Sequence, residues 1–89
     1  MTAPRWRPVD PSLHWYERPG EPEVVAFSPL SGTVHLVTTS VRPLLEALAV
    51  APRTVDDIIA LLAAFDLDAA EAQAIVESLD LADLIEPVP

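Results

Sequence analysis

Two histidines, fourteen carboxylates and five arginines are the main groups from which this 89-residue chain could build chemistry. There is no cysteine, so a thiol nucleophile, a thiolate metal centre and a disulfide framework are excluded. There is no lysine, and two glycines do not make a phosphate-cradling loop. His14 and His35 fall in separate runs that read as strands, and a lone histidine on a strand is read as a packed or surface residue. The sequence therefore predicts no catalytic residue, no metal site and no cofactor, and an enzyme is not expected.

Charge narrows the partners. From Thr54 onward nine acids (Asp56, Asp57, Asp66, Asp68, Glu71, Glu77, Asp80, Asp83 and Glu86) stand without one basic residue, and the net charge is −9. Nucleic-acid affinity depends on cations that neutralise phosphates, so this half of the chain would repel DNA. Such a face keeps a small apolar domain in solution, and it would favour a partner with basic residues. No run approaches the roughly 20 apolar residues that span a bilayer, and residues 1–11 contain no apolar signal region. A cytoplasmic protein with no membrane partner is the expectation.

Two β-branched and aromatic runs, residues 24–28 and 33–37, flank Pro29, Leu30, Ser31 and Gly32, a turn with proline at one corner and glycine at the other. They predict a β-hairpin. Residues 13–17 supply a first strand, closed by the proline-rich turn 18–22, and the three strands are expected in the order 1-2-3. Trp15 and Tyr16, being adjacent, must point to opposite faces. Ahead of them, residues 1–12 hold Pro4, Pro8 and Pro11 and read as an extended arm whose Trp6 packs back on a single domain of residues 13–89.

The second half reads as helices. A cap at Ser40 or Thr39 puts Pro43 in a first turn, where its missing N–H costs nothing, and that helix runs to about Val50. Thr54 followed three places on by Asp57 starts a second helix, whose Val55, Ile58, Ile59, Leu62 and Phe65 share one face. Asp68 with Glu71 starts a third, with Ala72, Ile75, Val76, Leu79 and Ala82 as its buried stripe. Residues 84–88 form a possible last strand, confined to a sheet edge by Pro87. The order defines an α+β class: a three-stranded antiparallel sheet followed by a three-helix bundle, with the outline of a winged helix-turn-helix.

Across nearly the whole chain, Trp6 and Arg7, residues 13–15, 24–27 and 31–36 (Ser-Gly-Thr-Val-His-Leu), Leu44, Leu45 and Leu48, residues 54–58, and Leu79 with the closing Asp-Leu-Ile-Glu of 83–86 resemble the PqqD-like peptide chaperones. These are the recognition elements of ribosomally made, post-translationally modified peptides. The form seen here is similar to the small PqqD-type proteins of HPr-kinase-related gene systems. Two features depart from the pattern. Asp83 stands where the family commonly has glycine, and the 18–22 turn is longer than usual.

The resemblance implies a non-catalytic chaperone or adaptor of natural-product biosynthesis. It would take a precursor (leader) peptide onto the third strand, in the cleft beside helix three, and present it to a peptide-modifying enzyme. The residues assigned to the peptide are Thr33, Val34, His35, Leu36 and Val37 on the strand, with Ala69, Ala72, Gln73, Val76 and Asp80 on the helix. Two other functions share this outline. A winged-helix DNA-binding regulator would carry its recognition helix on residues 69–82, which hold acids and no base. A self-associating interaction module would pair the same strand edge with a second copy, making a homodimer where the adaptor is a monomer.

Overall fold

A computed structural model describes residues 3–89; the first two residues of the proline-rich arm lie outside the described residues. Strands β1 (Arg5–Pro8), β2 (His14–Glu17), β3 (Glu23–Ser28) and β4 (Thr33–Thr38) precede helix α1 (Val41–Val50). The short strand β5 (Arg53–Thr54), helix α2 (Val55–Leu62) with a 3-10 turn at Ala63–Phe65, helix α3 (Ala69–Leu81) and strand β6 (Ile85–Pro87) follow. The fold is α+β, with three helices and an antiparallel sheet ordered β2-β3-β4, as the sequence predicts.

A second sheet, β5-β1-β6, is not foreshadowed by local sequence. Residues 5–8 of the arm form its middle strand, with Trp6 opposite both Arg53 and Pro87. Pro87 lies in β6 at that sheet's edge, where a strand tolerates a residue that cannot donate. Trp6 packs on the main core, built from Leu44, Leu45 and Leu48 of α1, Ile58 and Leu62 of α2, Ala72, Val76 and Leu79 of α3, and Leu84 and Ile85.

The helix ends follow local chemistry. Thr54 accepts from the Asp57 amide at 3.3 Å and Asp68 from the Glu71 amide at 2.8 Å, so both expected caps form. Ser40 is the first cap residue of α1, but its side chain makes no capping bond. A capping oxygen takes the amide of the second or third helical residue, and the third is Pro43, which has none. The Ser40 hydroxyl instead pairs with that of Thr38 at 3.2 Å.

Asp66 and Asp83 adopt left-handed backbone, with φ of 62° and 58°. Around Asp83 the amide of Leu84 donates to the Leu79 carbonyl at 2.9 Å and that of Asp83 to Asp80 at 3.1 Å, a Schellman ending with aspartate in the position glycine usually takes. Asp66 repeats the arrangement after α2, with Leu67 donating to Leu62. Phe65, expected to share the apolar face of α2, is exposed, because the α-helix gives way to the 3-10 turn after Leu62.

Candidate functional site

Strand β4 is an edge: β3 pairs with one side of it and no strand among the described residues pairs with the other. The hydrogen-bond phase of the hairpin identifies which backbone groups are left over. The Thr39 N–H donates to the Pro22 carbonyl at 3.3 Å, and this pair extends the Glu23–Thr38 register by one step. Hydrogen-bonded and non-hydrogen-bonded pairs alternate along an antiparallel ladder. Val37 opposite Val24, and His35 opposite Ala26, therefore bond inward to β3. The N–H and C=O groups of Val34, Leu36 and Thr38 point to the open edge.

Side chains alternate in the same rhythm. Val24, Ala26 and Ser28 of β3 are buried, so their partners Val37, His35 and Thr33 lie on the inner face, toward the helices. Val34 and Leu36 lie on the outer face, 66% and 65% exposed. They close two rows that cross the sheet: His14, Phe27 and Val34, then Tyr16, Val25 and Leu36. Tyr16 is 63% exposed, whereas its neighbour Trp15 packs on the core, so the two aromatics part as strand geometry requires. His14 sits edge-on to Phe27 at 6.2 Å on the outer face, while His35 is inward; the two histidines occupy opposite faces.

The ten residues assigned to a peptide do not converge on one pocket. Ala72 and Val76 are sealed in the core at 0% and 5% exposure, Ala69, Gln73 and Asp80 are exposed on α3, and Val34 and Leu36 face away from the helices. The helical stripe is closed because the same residues hold α3 on α2. A cleft of about 170 Å³ does lie between β4 and the end of α3; of the ten, Thr33 and His35 line it, together with Ser28, Leu30, Ser31, Val9, Asp10 and residues 82–84. Ser31, Thr33 and His35 form a polar chain along its wall, Ser31 Oγ to Thr33 Oγ1 at 2.7 Å and Thr33 Oγ1 to His35 Nε2 at 2.9 Å.

Asp10 builds the floor of this cleft, and sequence reasoning passed over it. Its buried carboxylate accepts from the Ser12 hydroxyl and amide, the Ser28 hydroxyl at 2.7 Å and the Leu30 amide at 3.1 Å. These bonds, the Ser12 hydroxyl foremost and Ser28 next, hold the carboxyl well below the ordinary carboxylate range. The link ties the loop after β1 to the β3–β4 turn. Asp-Pro-Ser is a local turn signal that was open to reading, but the bond to Ser28 spans 18 residues and has no local signature.

Arg42 fixes the other end of the sheet. It bonds Glu46 at 2.7 Å and Glu17 at 3.0 Å and lies over Trp15, 5.9 Å from the ring centroid, which joins β2 to α1. Glu46 first, with Glu17, holds its guanidinium more firmly protonated than usual. Beside this contact the outer face opens into a groove of about 860 Å³ whose lining includes Tyr16, Val25, Leu36, Arg18, Glu21 and Glu23. No helix among the described residues is long and apolar enough to cross a membrane. No protein-family model, curated protein or solved structure matches the chain.

Proposed function

We propose that this chain is a non-catalytic peptide-binding adaptor of the PqqD-like, winged-helix type. It captures the leader segment of a precursor peptide as an added strand on β4 and presents it to a peptide-modifying enzyme in the cytoplasm. The observation that carries this reading is the open edge of β4, where three successive alternate residues, Val34, Leu36 and Thr38, offer unpaired backbone donors and acceptors beside a cleft. Backbone pairing supplies affinity with little regard to sequence, and the flanking surfaces supply selection.

The acidic helical half supports a basic peptide rather than a nucleic acid. Residues Glu71, Glu77 and Asp80 of α3 are exposed and no base accompanies them, which speaks against a DNA-reading helix. The test is titration of isotopically labelled protein with the precursor peptide encoded nearest its gene, followed by amide NMR. Shifts centred on Val34, Leu36, Thr38 and residues 82–84 are the expected result. An unchanged spectrum at millimolar peptide would remove the proposal.

A further inference from the structure

The outer face of the β2-β3-β4 sheet carries three exposed large hydrophobic side chains, Leu36, Val34 and Tyr16, with Val25 and Phe27 half-buried between them. Apolar residues of this size are commonly turned inward, and a contiguous exposed group marks an interaction surface. At one end the apolar rows stop at a third row, in which Thr38 of β4 stands opposite Glu23 of β3. Neither Glu23 nor Glu21 has a cation within ion-pair distance among the described residues, although Glu17, on the same groove, is held by Arg42.

We infer that this face reads the side chains of the added strand, and that it selects an extended peptide with the pattern basic, any, apolar, any, apolar. The inference rests on the strand-capture reading above. A strand added antiparallel to β4 pairs directly with the residues whose backbone groups point outward: Thr38, Leu36 and Val34. Directly opposite residues of an antiparallel pair share a face, so three alternate peptide side chains extend the three rows across the outer surface. In the peptide's own direction they meet Thr38 first, then Leu36, then Val34.

The two apolar rows accept apolar side chains. At the third position Thr38 is short, and the next residue across is Glu23. The Cα separation from the peptide residue to Glu23 is about 10 Å, the sum of a wide and a narrow antiparallel spacing of roughly 5.5 and 4.5 Å. A lysine or arginine can lay its apolar stem over Thr38 and bring its charge to Glu23, with Glu21 nearby on the same groove. Pairing β4 with a second copy of itself leaves these carboxylates uncompensated, because β4 contains no lysine or arginine and its His35 lies on the inner face. Charge complementarity thus favours a foreign peptide.

Three capped synthetic nonapeptides test the inference. One carries arginine, leucine and valine at alternate positions with serine and threonine between; the second has glutamate for arginine; the third has the first sequence reversed. Titrated into labelled protein, the first should shift the Val34, Leu36 and Thr38 amides. The second and third should bind about fivefold more weakly, the scale of an exposed charge pair. Glu23→Lys should reverse the order of the first two, and added salt should weaken the first alone. Equal affinities with shifts on β4 would overturn the inference and leave strand capture standing. No β4 shift from any peptide at millimolar concentration would overturn both. Shifts that follow protein concentration without peptide would give the edge to a second copy and overturn the inference.

Discussion

Replacing Leu36 with proline separates backbone pairing from side-chain contact at the β4 edge. The Leu36 N–H points away from β3, so Leu36→Pro removes an outward donor and breaks no bond of the β3–β4 ladder. An added strand can form up to six hydrogen bonds with the three outward N–H and three outward C=O groups of Val34, Leu36 and Thr38, each netting about 0.5–1.5 kcal/mol. The gross gain of about 3–9 kcal/mol is offset by about 2–5 kcal/mol for ordering a flexible peptide. Loss of one bond should therefore weaken peptide affinity about two- to twelvefold.

Leu36→Ala is the reference that loses the same side chain and keeps the N–H. The assay is fluorescence anisotropy of a labelled peptide against each variant, with hydrogen exchange on the free protein. In the free protein the amides of Val34, Leu36 and Thr38 should exchange rapidly while those of His35 and Val37 are protected, and peptide should erase the difference. Equal protection of both sets without peptide would refute the hydrogen-bond phase. Equal peptide affinity for Leu36→Pro and Leu36→Ala would refute pairing at this edge.

Other consequences concern stability. Asp83→Gly and Asp66→Gly relieve left-handed strain of about 1–2 kcal/mol and add chain entropy to the unfolded state worth about 0.5–1 kcal/mol; each should stabilise by about 0.5–1 kcal/mol in urea unfolding. Asp10 is held below its ordinary pKa by the hydroxyl of Ser12 and then that of Ser28, so its contribution is fully present above the unfolded value of 3.8 and is lost as pH falls toward the folded one. Asp10→Asn should accordingly lower stability at pH 7 and differ less from the parent at pH 3; a difference that grows on acidification would reverse the sign. Leu44→Ala empties a fully buried position of α1 and should cost about 2–5 kcal/mol, enough in a domain this small to bring thermal unfolding, followed by circular dichroism, near room temperature.

Much of the fold was legible because its signals are local. Pro29 to Gly32 specify a turn by their own backbone preferences, Thr54 and Asp68 cap the helices that follow them, and Ile58, Leu62, Ala72, Val76 and Leu79 recur at helical spacing. Strand order, the β4 edge and the place of Pro87 followed from short connections and from what proline cannot donate. The middle strand of the second sheet did not, since Trp6 and Arg7 find Pro87 and Glu86 only when the two ends of the described chain meet.

The candidate site divides the same way. That residues 33–38 form a strand is written in their types; the face each shows is a global property. Period-two alternation defines two sets, Val34 with Leu36 and His35 with Val37, but only the packing of Val24, Ala26, Trp15 and Val37 beneath the helices decides which set is turned to solvent. Tertiary structure turned the larger apolar pair outward, closed Ala72 and Val76 into the core and placed Asp10 under the hairpin turn. A strand carries the rule of alternation in its sequence, while its phase relative to the core is a long-range contact that no local preference encodes.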